Sequence, residues 1–113
     1  MPKSVNRSCL IVTPAEGYVK WARALPDARG DEDPGGDDEF GTVYLIPEQF
    51  AGPEKWLRKN FKAIFENELE AWCLEKSWWP KHRGWDVFRE FFDVKFTSVV
   101  VDLAREELAR EAD

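Results

Sequence analysis

Glu68 is the residue whose type and position most invite chemistry. On a helix advancing about 100° per residue with Phe61 at zero, Leu57, Ile64, Phe65 and Trp72 fall within about 60° of one direction, and Glu68 falls at about −20°, inside that apolar stripe. A lone charge buried there costs on the order of several kcal/mol, so the carboxylate must be paired, hydrogen-bonded or protonated. One reading makes Glu68 an anchor that accepts a hydrogen bond from a Trp indole N–H or from Arg83. The other makes it a ligand contact or general acid/base with a raised pKa, lining a cleft. Glu66 and Glu70, at about 140° and 180°, belong to the solvent side. Their spacing would suit a metal, but an exposed acidic helix face is the commoner arrangement.

The second concentration of chemistry is Ser77-Trp78-Trp79-Pro80-Lys81-His82-Arg83-Gly84-Trp85, where three tryptophans surround three potentially cationic side chains. Exposed Trp and Arg dominate binding hot spots, and Trp faces hold sugars, bases or cations. Trp72, Trp78, Trp79, His82 and Arg83 are therefore candidate contacts. The competing reading is an aromatic corner that closes the gap between two helices, with Lys81, His82 and Arg83 solvated. His82 is the only histidine, and nothing at motif spacing makes it a metal ligand or part of a Ser-His-Asp set.

Asp102 follows three valines and is read either as the N-cap of a last helix or as an acid presented beyond a strand. The chain has no Gly-rich phosphate loop, nucleophile elbow or Cys/His cluster. No metal or cofactor is expected. Cys9 lies in an apolar run and Cys73 in a helical one, so both read as buried thiols of a reducing compartment.

These side chains need elements to position them. Ser8 to Thr13 reads as a strand that ends in Thr13-Pro14-Ala15-Glu16, a capping box with proline at the first helical position. A helix then runs to about Leu25. Thr42 to Ile46 reads as a second strand, and a long helix spans Pro53 to about Lys76. A short helix from Trp85 to about Asp93, a third strand between Val94 and Val101, and a charged helix from Leu103 to Ala112 complete the order β-α-β-α-α-β-α. The runs Leu10-Ile11-Val12 and Val99-Val100-Val101 look apolar on both faces. The expected fold is therefore a small three-layer α/β domain: a three-stranded, mainly parallel sheet in the order 2-1-3 with helices on both faces. A split sheet with one antiparallel strand is the competitor. In a parallel sheet the strand ends at Thr13, Pro47-Glu48 and Asp102 would form one mouth for a ligand.

The length of 113 residues, with six Trp and eight Phe, suits one domain with a single core over residues 1–113. Sixteen basic and 22 acidic residues give a net charge of −6, which disfavours nucleic acid and anionic membranes as partners. All of that excess sits in residues 27–39, where Asp27, Asp31, Glu32, Asp33, Asp37, Asp38 and Glu39 oppose Arg29 alone. With four Gly or Pro residues and nothing apolar larger than Ala28, this segment reads as a mobile, solvated acidic loop. It lacks the glycine and glutamate spacing of a calcium loop. No apolar run is long enough for a membrane span and no signal peptide is evident, so a cytoplasmic protein is expected.

Ile64-Phe65-Glu66, Glu68-Leu69, Trp72, Trp79-Pro80 and Val100-Val101-Asp102-Leu103 resemble a small family of uncharacterised bacterial proteins, most clearly in the C-terminal half. The resemblance implies a bacterial cytosolic origin and transfers no functional residue. With catalytic signatures missing, the leading expectation is a small acidic noncatalytic interaction module, of the inhibitor, antitoxin-like or adaptor kind, using the acidic loop or the Trp-rich corner, with a protein partner or self-association. The alternative is a small-molecule binder or hydrolase using Glu68, with Trp72, Trp79, His82, Arg83 and Asp102 in support.

Overall fold

Arg7–Pro14 forms β1, the central strand, with β2 (Thr42–Pro47) on one side and β3 (Phe92–Thr97) on the other. In this computed structural model, which describes residues 4–27 and 41–110, the order 2-1-3 is as expected, but both pairings are antiparallel. The register sets Leu10 opposite Tyr44 and Phe96, and Val12 opposite Thr42 and Val94. The parallel expectation fails on Ile11. Ser8, Leu10 and Val12 point inward and are fully buried, whereas Ile11 is 37% exposed. From Leu10 on the strand alternates in the antiparallel way, with Ile11 at the solvent-side position, while Cys9 on the face of Ile11 is buried and so hides the period.

Helices cover one face of the sheet, not two. The core takes Leu10, Val12, Ile46 and Phe92, with Tyr44, Val94 and Phe96 packed beside them, all from the same side of the pleat. Val43, on the opposite face, is 60% exposed, and Leu45 beside it is exposed as well. The result is a two-layer α/β arrangement. Thr13 and Pro47 now lie at opposite ends of the sheet, because Arg7 pairs with Pro47 while Thr13 pairs with Asp93. The shared mouth at the strand ends is not formed.

Helix α1 (Glu16–Arg23) begins two residues later than a Thr13 cap would place it. Its N-cap is Ala15, without a side-chain hydrogen bond, and the Ala15 N–H donates to the Phe91 carbonyl at 2.7 Å. The ladder to β3 continues through Thr13 and Pro14, so strand pairing takes the residues that a capping box would have used. Gly17 marks a close approach to α3 (Trp85–Phe91), since a Cβ there would lie 2.7 Å from the Glu90 carbonyl oxygen and 2.9 Å from the Phe91 ring. Any side chain would wedge the two helices apart.

Helix α2 (Glu54–Trp72) buries Leu57, Phe61, Ile64, Phe65 and Glu68 of the expected stripe, together with Leu69, whereas Trp72, expected on the same face, is 37% exposed at the last turn. It stops before Lys76 because Cys73 turns extended and its carbonyl accepts the Trp79 indole N–H at 2.9 Å. A 3₁₀ turn follows at Lys76–Trp78, capped by Glu75, whose carboxylate accepts from the Ser77 hydroxyl at 2.7 Å. Helix α3 passes directly into β3 at Phe92, which leaves no length for a crossover.

β3 ends at Thr97, and the three valines after it contribute a bridge from Val101 to Ser4 and a hydrogen bond from Val5 N–H to the Val100 carbonyl. No helix forms over the described part of the 103–112 segment. Leu103 there is 78% exposed, and an unpacked helix of so few residues is not stable in water. Apart from Asp27, the 27–39 acidic segment lies outside the described residues.

The core is unusually aromatic. Phe61, Phe65, Phe88, Phe91, Phe92 and Tyr18 meet with ring centroids 5.3 to 6.3 Å apart, mostly tilted or edge-to-face, the geometry that ring quadrupoles favour. Both cysteines are free and buried, as expected.

Candidate functional site

Glu68 sits on the buried stripe of α2 with 7% of its surface exposed. Its partner is neither a tryptophan nor Arg83. The Tyr44 hydroxyl, brought over from β2, donates to Glu68 Oε2 and in turn accepts from Asn67 Nδ2 at 2.9 Å. The Tyr18 hydroxyl of α1 donates to the Glu68 backbone carbonyl at 3.4 Å. One turn of α2 is thus tied to both a strand and a helix.

Burial pushes the Tyr44 phenol far above its ordinary range, and its hydrogen bond to Glu68 adds to the rise against a small opposing effect from Asn67. Tyr18 is raised in the same direction, first by burial and then by the charges of Glu68 and Cys73. The folded protein therefore holds both protons at pH values where the unfolded chain releases them. Stability is full below the free phenol value near 10 and declines as pH rises past it. Urea midpoints should hold steady from about pH 7 to 9 and fall beyond about pH 10, and Tyr18→Phe should flatten that fall. An identical alkaline profile in the variant would contradict this assignment.

The Trp-rich segment divides between structure and surface. Trp79 is buried, its indole N–H engaged by the Cys73 carbonyl, with the Lys76 ammonium and the Arg83 guanidinium each 5.8 Å from its ring centroid. Trp78 and Trp72 are exposed over a good third of their surface, and the Trp78 carbonyl accepts the Trp21 indole N–H at 2.9 Å. Arg83 is half-buried and donates through one guanidinium nitrogen to the Pro80 carbonyl at 2.6 Å. His82 Nε2 lies 3.2 Å from Asp86 Oδ1, and this contact is the main cause holding the Asp86 carboxyl below its usual range. The pair lies across Gly84, where a Cβ would come within 2.8 Å of Asp86 Oδ1 and 3.1 Å of His82 Nε2. Asp102 is remote from this group. It caps no helix, and Oδ1 accepts the Ala104 N–H at 2.8 Å in a local turn.

His82 and Arg83 do share a site, with partners that sequence reasoning missed. A hollow of about 390 Å³ between α2 and the loop before α3 is lined by Lys62, Phe65, Glu66, Lys81, His82, Arg83 and Gly84. A second hollow, about 350 Å³, opens between the start of α2 and α3, with Leu57, Phe88 and Phe92 beneath the exposed Glu54, Arg89 and Asp93. Beside it the guanidinium carbons of Arg58 and Arg89 lie 5.2 and 5.8 Å from the Trp85 ring centroid. Glu68 borders neither hollow. A signal for the first hollow was present in α2. After Glu54 in the first turn, Lys55, Arg58, Lys59 and Lys62 occupy its N-terminal half, and Glu66, Glu68 and Glu70 its C-terminal half, a charge segregation that the helix macrodipole does not favour beyond the first turn.

Chemically, the corner offers cations and aromatic faces and lacks an activated nucleophile. Burial pushes the Cys9 thiol up, away from the reactive thiolate. Among the described residues no three His, Cys, Asp or Glu side chains gather as metal ligands, and no helix is long and apolar enough to cross a membrane. No family model, curated protein or solved structure matches the chain.

Proposed function

We propose that the protein is a noncatalytic interaction module that engages an acidic segment of a partner protein through the basic, aromatic corner between α2 and α3. The observation that carries this reading is the hollow in which Lys62, Lys81, His82 and Arg83 face one space from two different elements. Arg58 and Arg89 lie over the Trp85 ring beside the second hollow, where Glu54 and Asp93 offset their charge. Clustered cations on a chain of net charge −6 would steer an acidic partner to one place and keep it off the rest. The hydrolase alternative needs an open hollow beside Glu68, and Glu68 lines neither the hollow at Lys62 and Arg83 nor the one at Leu57 and Phe88.

A fluorescein-labelled oligo-glutamate peptide tests the reading. Its anisotropy should rise saturably at low salt, and Lys62→Glu combined with Lys81→Glu should weaken binding by at least about ten-fold, or about 1.4 kcal/mol. Equal binding of an oligo-lysine peptide, or no loss in the double variant, would overturn the proposal.

A further inference from the structure

We infer that the hollow between α2 and the 80–84 loop is a site for a phosphate monoester, so that the module reads a phosphorylated group on its partner. This rests on the interaction reading above and specifies the ligand class. Charge is the first argument. Lys62, Lys81 and Arg83 bring three permanent cations to one space; Glu66 subtracts one charge within it, and the Asp86 carboxylate, 3.2 Å from His82 Nε2, lies at its edge. To these three cations a phosphate monoester offers three acceptor oxygens and about −1.5 to −2 charges at neutral pH, where a carboxylate offers two oxygens and one charge.

Geometry is the second. Arg83 is held from behind by the Pro80 carbonyl at 2.6 Å and by the Trp79 ring at 5.8 Å. One N–H is spent on that carbonyl, and the remaining donors of a fork already fixed in place can meet phosphate oxygens. Lys62 and Lys81 are exposed and reach the same space from α2 and from the loop, suiting them to oxygens that point in different directions. Size is the third. At about 390 Å³ the hollow far exceeds the roughly 30 Å³ that a water occupies, and so admits a phosphate with the carbon atoms that bear it, over the Phe65 floor.

The test titrates the full chain with four probes, read by tryptophan fluorescence and calorimetry: a phosphoserine peptide, the same peptide with glutamate in place of phosphoserine, free O-phosphoserine, and inorganic phosphate. The phosphoserine peptide should bind at least about ten-fold more tightly than the glutamate peptide. Arg83→Gln and Lys81→Ala should each remove most of that difference. Lys81 is exposed, so its variant should keep the wild-type melting temperature and guard against a folding artefact in the Arg83 variant.

A phosphoserine peptide tighter than free O-phosphoserine supports a phosphorylated protein segment as the source. Equal binding of the two supports a free organic phosphate in the same site. Equal binding of the phosphoserine and glutamate peptides would overturn the phosphate assignment and leave the acidic-partner reading standing. Binding of neither peptide would overturn both. Inorganic phosphate binding as tightly as both monoesters would overturn the claim that the site takes a carbon-borne phosphate.

Discussion

Replacing Phe88 with alanine should lower the free energy of unfolding by about 3–5 kcal/mol. Phe88 is 1% exposed and stands where α2, α3 and β3 meet. Its ring centroid is 5.3 Å from that of Phe92, 5.4 Å from Phe61, 5.7 Å from Trp85 and 5.8 Å from Phe65. Truncation removes the transfer free energy of a whole ring and opens a cavity that four neighbouring aromatics, each fixed by others, cannot collapse to fill. Domains of this size are stable by only about 5–15 kcal/mol, so the variant should be close to unfolding at body temperature. Urea unfolding at constant m would measure the loss. A value under about 1 kcal/mol would mean that Phe88 is not packed as described. Phe88 also floors the second hollow, so the loss should be accompanied by exposure of Trp85 to fluorescence quenchers.

Tyr44→Phe should cost about 2–3 kcal/mol, because it removes the hydroxyl that donates to a buried carboxylate. The mass removed is one oxygen, so packing alone predicts far less. The diagnostic comparison is Tyr44→Phe with Glu68→Leu, which removes both partners and leaves a hydrocarbon pair in their place. The double variant should recover at least half of the loss, since an unsatisfied buried charge is costlier than an apolar contact of similar shape. Additive losses in the cycle would show that the two groups do not interact. Asn67, whose amide donates to the Tyr44 hydroxyl from an exposed position, can turn to water and should matter little.

These two residues show how the fold could and could not be read from the chain. Phe88 belongs to a helix whose existence follows from its apolar spacing, but its four ring neighbours come from positions 61 to 92 and are set by how α2, α3 and β3 pack. Glu68 was visible as a misplaced acid from periodicity alone. Its donor, Tyr44, lies 24 residues away across a strand and a loop, and no local pattern joins them. Strand direction was misread for a related reason. An isoleucine on the solvent side of β1 makes a half-covered strand look like one covered on both faces, and only its neighbours in space distinguish the two.

By itself, then, the amino-acid order determined that β1, β2 and a long α2 would form, that one acid would face the core, and that both cysteines would be buried. Local periodicity and turn chemistry act over a few residues, which is the range that these features require. Tertiary structure decided the antiparallel pairing, the covering of one sheet face only, the capture of Glu68 by Tyr44, and the meeting of Lys62 with Lys81 and Arg83 in one hollow. Each of those depends on contacts between segments far apart along the chain, where burial and ladder hydrogen bonds outweigh local preference.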